Sequence, residues 1–537
     1  MPTLPPKLMA GLCGVALLTL VGCGPAATQP DGGSVQRNTG PVGKAVVALS
    51  PQTTSSVDPQ LQSEGSDFVN TEVLYNRLRE APKDSLALGP GLATKWALSP
   101  DAKTATFDIR KGVKFHNGDE VTPEDVVFSI ERARRIGTQN AKAYLELFLE
   151  SMEVKGESVL FHLKRPNSWN FVNQIARGEY SVVPKKYIEQ VGDEGFLKAP
   201  VGTGPFKFVS WARQEYLEVQ AVDYEHFMWQ PGVERLRYVI VPEETTRLAM
   251  LRTSEADLAQ ISVTSLKSME GDTKIRALRV PNLGGLRIFM FGQADPANPM
   301  SKLEVRQALS LAIDREAIAK GVYQGYARPI GTGIWNPAEP GFPDWGNTAP
   351  AYDLERAKAL LVKAGYPDGK GLKLTFHSFE FGATPLFTQV APVIAGQWGK
   401  MGVQVELRQW ERAAYTALAI TGKFDPVAVS TNLANSSGAQ GSIGDFTPLG
   451  QYPIAAGTAG GAHPELKQMA EQYLLEVDAT KRAQLQGRIL AYDRDNVVFM
   501  PVLIIDGLWA TGPRVREYTP RPGTFSQGNM YTIKVEP

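Results

Sequence analysis

The chain has 537 residues, 56 Lys plus Arg against 56 Asp plus Glu, and a hydrophobic share of 43%. That length exceeds what one hydrophobic core organises and points to two or three lobes. The balanced charge, without a basic run or stripe, argues against nucleic acid as a partner, and two cysteines exclude a disulfide-rich scaffold.

Lys7 is the only charge before Asp31, and Leu8 to Val21 is apolar. The run is shorter than the roughly 20 residues a membrane-spanning helix needs. A single-Lys flank, a short apolar core and a small-residue exit read as a secretory signal over residues 1–22. The exit, Leu20-Val21-Gly22-Cys23, is similar to a bacterial lipobox. That resemblance implies cleavage before Cys23, a diacylglycerol on its thiol, and anchoring to the cell membrane on an extracytoplasmic face (periplasmic or cell surface). Cleavage removes Cys13, so Cys23 remains as the single thiol and no internal disulfide forms. Residues 23–43 are rich in Gly, Pro and small polar residues and read as a flexible tether.

Lys44 to Leu49 is the first expected strand, ended by Ser50-Pro51, and a helix is expected around Phe68 to Arg79. Leu92–Leu98 and Thr104–Arg110 alternate with the strand period around a Ser99-Pro100-Asp101 turn, which predicts a hairpin. Thr122-Pro123-Glu124-Asp125 opens a helix: Thr122 caps, Pro123 suits the first turn, and the acids favour the positive end. Pro205–Trp211 and Tyr216–Ala221 form a second hairpin, Arg237–Val241 a strand, Glu244–Arg252 a helix and Leu258–Ile261 a strand. From about residue 283 helices alternate with strands. The helices are Glu304–Ile313, one capped by Asp353 and ending at Ala364, Leu386–Met401, and Thr480–Arg494. The strands are Lys373–Phe376, Val403–Leu407 and Met500–Ile505. This alternation predicts an α/β lobe with ligand-facing loops at strand ends.

Several stretches follow one another along the chain. They run from Leu92 through Ser99-Pro100-Asp101, Phe107 to Gly118 and Thr122 to Val126. Gly202-Thr203-Gly204-Pro205-Phe206, Val305 to Arg315, Tyr352-Asp353 and Ala364-Gly365-Tyr366 follow. Together they resemble the family 5 extracellular solute-binding proteins of ABC importers, the dipeptide, oligopeptide and nickel receptor group. The resemblance implies an α/β, two-lobed periplasmic-binding-protein fold (class II type, cluster C) with an extra domain on lobe I. Lobe I would comprise residues 44–70, 198–282 and 500–537, the extra domain 71–197, and lobe II 283–499. The chain would cross between lobes near Pro281 to Gly285 and near Phe499 to Leu503. The implied function is capture of a solute, most readily a peptide, in an interlobe cleft. A monomeric receptor would then deliver it to the permease subunits of its importer, with no cofactor and no resident metal.

Peptide-binding members carry a carboxylate in lobe II that pairs with the peptide amine. The matching region here runs from Gly422 to Ser437, and after its Phe424-Asp425 pair no acid appears until Asp445. A non-peptide polar solute (an opine, an oligosaccharide, or a metal chelate such as nickel) therefore stays open. The candidate ligand residues are Asn432 and Asn435 in that loop, and Asp445 if it folds back. Arg408 would pair a carboxylate and Trp410 would stack, against the plainer readings of a surface Arg and a core Trp. Ser50 and Thr53 follow the first strand, and Trp335 and Trp509 are further cleft candidates. There is no Gly-x-Ser-x-Gly, His-Glu-x-x-His or Cys-x-x-Cys, and the five histidines are scattered, so an enzyme is not expected.

Overall fold

The computed structural model describes residues 45–50, 56–62, 72–83, 87–166, 168–337, 342–379, 386–421, 424, 427–434, 443, 446, 461–521 and 529–536. Strand β1 (Ala45–Ser50) buries Val46, Ala48 and Leu49. The helix expected over Phe68 to Arg79 reaches only to Leu74 among its described residues. Arg79–Glu80 instead pairs with Gly89–Pro90, and the Glu80 carboxylate turns the chain by accepting the Arg77 backbone N–H at 2.8 Å.

The segment carrying the densest motif builds its own antiparallel sheet. Strands β2 (Ala93–Leu98), β3 (Thr104–Ile109), β4 (Leu149–Lys155) and β5 (Ser158–Leu163) run in the order β2-β3-β5-β4. Helix α1 (Pro123–Ile136) packs on it, started by a reciprocal cap between Thr122 and Asp125. Its core runs from Leu78 to Val182 and includes Phe107 edge-on to Phe161 at 5.6 Å.

Strands β6 (Phe206–Ala212), β7 (Tyr216–Ala221) and β8 (Arg235–Ile240) follow, then helix α2 (Glu244–Arg252) and strands β9 (Leu258–Ile261) and β10 (Arg276–Met290). Next come α3 (Leu303–Leu311), α4 (Arg315–Gly321), β11 (Ala327–Pro329), α5 (Leu354–Lys363), β12 (Lys373–Phe379) and α6 (Phe387–Gly399). Then come β13 (Gln404–Trp410), α7 (Arg412–Thr421), β14 (Ala428–Ala434), α8 (Pro464–Leu475), α9 (Ala479–Asn496) and β15 (Met500–Thr511). One sheet joins both lobes in the order β13-β12-β14-β10-β15-β9-β1-β8-β7-β6, with β11 also on β15.

The helices pack through buried apolar faces and through arginines that hold backbone carbonyls. Trp398 of α6 is fully buried, stacks on Phe376 at 5.4 Å and donates its indole N–H to the Leu309 carbonyl at 2.9 Å. Truncating such a side chain to Ala costs about 3–5 kcal/mol. Arg306 reaches the Met300 and Asn496 carbonyls, and Arg315 those of Ser310 and Pro501. The Val305-to-Arg315 motif is thus scaffolding.

Two strands carry the chain between lobes. β10 pairs through Arg276–Val280 with Gly507–Thr511, then through Gly284–Ile288 with Met500–Ile505, with an irregularity at residues 281–283. On β15 the matching interruption falls at Asp506, between Ile505 and Gly507. The apolar run Met500–Ile505 is buried against β10 and β11 inside lobe II, and the polar Asp506 ends it.

Candidate functional site

The strand ends converge on these crossings. β1 runs parallel to β8 and β9, so Ser50, Ile240 and Ile261 end on one edge. β9 is antiparallel to β15, and Ile261 lies opposite Leu508, two residues from Asp506. In lobe II, β12 runs parallel to β13 and β14, so Phe379, Trp410 and Ala434 also share an edge. Ala434 lies opposite Gly285, beside the other crossing. Two sets of carboxyl-terminal strand ends therefore approach the hinge from opposite sides. That is the position where open α/β sheets bind ligands.

The lobe I rim is pinned by hydrogen bonds. Ser50 is half-buried, and its carbonyl accepts the Val241 N–H at 2.9 Å. Glu244, in the first turn of α2, accepts the Ser262 N–H at 2.9 Å and its hydroxyl at 3.0 Å, and also the Ser265 hydroxyl. Arg247 donates to the Gln260, Val241 and Pro242 carbonyls at 2.9, 2.8 and 2.6 Å, and burial lowers its pKa. This Glu244–Ser262–Ser265 network was not found from the sequence. Its trace there is an acid in the first turn of a helix, which also reads as an ordinary helix start.

The lobe II rim is aromatic. The Trp410 indole N–H donates to His377 Nδ1 at 2.9 Å, and the rings stack at 6.1 Å. An accepting Nδ1 places the proton of the neutral imidazole on Nε2. Phe424 lies 4.5 Å from His377, and Phe379 stacks on Tyr415 at 4.4 Å. The Tyr415 hydroxyl pairs with Ser430 Oγ at 2.8 Å. Trp410 is half-buried, while His377 and Tyr415 are buried.

The other candidates divide. Asn432 lies on β14 opposite Arg287, two residues before the strand end. Trp335 is buried against Phe342, and among the described residues its indole N–H has no hydrogen-bond partner. The next residue, Asn336, donates to the Asn282 carbonyl at the crossing at 3.0 Å. Trp509 is a core residue. It is 2% exposed in the lobe I core, opposite Gln260 and Leu278, because it lies past Asp506 on the lobe I half of β15. Arg408 is 41% exposed on the sheet's edge strand and pairs with Glu406 of its own strand at 2.7 Å. Cys23, Thr53, Asn435 and Asp445 lie outside the described residues.

The model of the bacterial extracellular solute-binding proteins, family 5, middle region, matches residues 87–448, more than half of the sequence. The chain belongs to this family. It is 28% identical over 509 residues to heme-binding protein A of Haemophilus influenzae, covering 89% of this chain and 90% of that one. It is 30% identical over 412 residues to the dipeptide-binding protein of Escherichia coli, covering 72% and 75%. The structure of HbpA2 from Haemophilus parasuis shares its fold, with a TM-score of 0.74 at 24% identity over 92% of this chain and all of that one. The family's members are extracellular solute binders with the two-lobed periplasmic-binding-protein fold. Among the described residues no helix is long and apolar enough to cross a membrane, and no group of three or more His, Cys, Asp or Glu is placed to hold a metal.

Proposed function

We propose that this chain is the solute receptor of an ABC importer and captures a peptide between its two strand-end rims. The observation that carries the reading is the convergence of both sets of strand ends on two adjacent crossings, in a chain of this family. The dipeptide-binding relative supports peptide as the solute. In this reading Trp410, Trp335, Asn432 and Ser50 line the cleft, the loaded monomer docks on the permease, and no chemistry is done on the solute. Cys23 carries the lipid anchor and residues 24–43 form the tether, which keeps the receptor beside its permease.

A non-peptide polar solute is the second reading. It is favoured by the absence of any acid from Val427 to Gly444, and by the coverage of the heme-binding relative. Mass spectrometry of material released on denaturing the purified protein separates the two. A pool of short peptides, confirmed by calorimetric titration, is the expected result. A sugar, an opine or a metal chelate in its place would overturn the peptide assignment. A Cys23→Ser variant is expected to leave the detergent phase for the aqueous phase; unchanged partition would refute the anchor.

A further inference from the structure

The crossing between the lobes is built around one carboxylate. Asp506 Oδ1 accepts the Asn282 backbone N–H at 2.9 Å. Its Oδ2 accepts the Arg279 Nε–H at 2.6 Å and also meets Nη2 of the same guanidinium, an ion pair. The backbone N–H of Asp506 donates to the Tyr326 carbonyl at 2.9 Å, and the Arg279 guanidinium lies 5.4 Å from the centroid of the Tyr326 ring. Asn282 has φ +58°, the left-handed region that Asn tolerates better than most residues. Its carbonyl is held by Asn336, and its side-chain oxygen faces Arg328 Nη2 at 3.4 Å.

These partners come from both lobes. Arg279 sits on the half of β10 that pairs in lobe I, whereas Tyr326, Arg328 and Asn336 belong to lobe II. Asn282 and Asp506 lie in the interruption between the two paired stretches of β10 and β15. Any rotation of one lobe against the other must alter backbone angles at such positions. The surroundings leave little slack: a Cβ on Gly507 would meet the Leu283 side chain at 3.1 Å and Val280 Cβ at 3.5 Å. Asp506 carries a side chain only 7% exposed, yet it caps no helix and lies in neither rim. Among the described residues its carboxylate is bonded to Asn282 and Arg279, and its backbone N–H to Tyr326.

We propose that Asp506 is a hinge latch, a positioning residue that holds Asn282 left-handed, ties Arg279 to it, and so sets the balance between lobe arrangements. A ligand draws on that balance in proportion to its preference for one arrangement. The latch acts through Asn282 and Arg279 and touches no ligand, so it tunes affinity for every solute alike. Its effect on affinity rests on the receptor reading above; its effect on lobe geometry does not.

The test uses Asp506→Asn, which keeps shape and removes charge, and Arg279→Ala, which removes a side chain already 56% exposed. Small-angle X-ray scattering of the ligand-free proteins decides. Both variants are expected to change the scattering profile in the same direction. Amide exchange at Asn282 should rise at least tenfold, with β3 of the extra domain unchanged. A profile and exchange rate equal to wild type in Arg279→Ala overturn the latch, even if Asp506→Asn fails to fold. With the dipeptide Ala-Leu and the tripeptide Ala-Leu-Ala, Kd is expected to shift at least threefold with their order preserved. An inverted order would place Asp506 in the ligand site and refute a positioning role. If wild-type protein binds neither peptide, the peptide reading falls and the scattering result still judges the latch.

Discussion

Around the turn Gly202-Thr203-Gly204, two imidazoles read backbone atoms. His116 brackets the Gly202 N–H and the Gly204 carbonyl, at 3.2 and 2.9 Å. His226 Nε2 meets the Thr203 carbonyl at 2.9 Å, while its Nδ1 accepts the Trp229 N–H at 3.0 Å. At the lobe II rim, side chains instead meet side chains: Trp410 on His377, Phe379 on Tyr415, Tyr415 on Ser430. A backbone atom can be read by few residue types at one spacing, so the first region has the rigid wording of a motif. Ring contacts tolerate exchange of one apolar or aromatic residue for another. The second region therefore leaves a weaker trace in the sequence.

The sharpest break of that contrast is Gly204→Ala. A Cβ there would lie 2.3 Å from the Val73 carbonyl oxygen, in backbone that cannot retreat. Urea unfolding is expected to show a loss of about 3 kcal/mol or more, with the folded fraction keeping its solute affinity. A loss under 1 kcal/mol would mean that the turn relaxes and the two regions are alike.

The next effect is in pH. Burial pushes the His226 pKa down to about 4, offset in part by its bond to the Thr203 carbonyl. A lowered folded value means that the unfolded chain binds the proton first. The stabilisation is complete above the ordinary value near 6.5 and is lost as pH falls towards 4, by up to about 3 kcal/mol. Burial raises Asp493 to about 7 and Asp257 to about 6, and these act in the opposite sense over an overlapping range. The test is therefore a difference. His226→Gln should flatten the fall in Tm between pH 6.5 and 4.5 relative to wild type. Parallel curves would contradict a neutral, buried His226.

Trp410→Ala addresses the rim. Solute affinity is expected to weaken about tenfold, near 1.4 kcal/mol, by calorimetry with an unchanged far-ultraviolet spectrum. Trp410→Phe should recover most of it. Affinity within twofold of wild type in both variants would remove Trp410 from the cleft. The smallest effect is expected at Arg408→Ala, within about 0.5 kcal/mol in stability and without change in affinity, because an exposed same-strand pair contributes little. A large loss of affinity there would restore Arg408 as the partner of a solute carboxylate.

Local chemistry made much of this fold legible. Thr122 with Asp125, Asp353 at the start of α5, and the alternation through β2 and β3 are decided within a few residues, by capping and by period. The acid-free stretch after β14 is likewise a property of the sequence alone.

What the sequence left undecided depends on partners far along the chain. Trp410 and Trp509 look alike in sequence, one at a rim and the other in a core. The difference lies in which half of which strand each occupies relative to the crossing. The pairing of β15 with β10 is interrupted at Asp506, and Met500–Ile505 before it is covered by β10 and β11, strands more than 170 residues earlier. Capping and periodicity act over one or two turns of chain, and they determined the elements. Register and burial are set by contacts between distant segments, and only the tertiary structure decided which strand ends meet at the hinge.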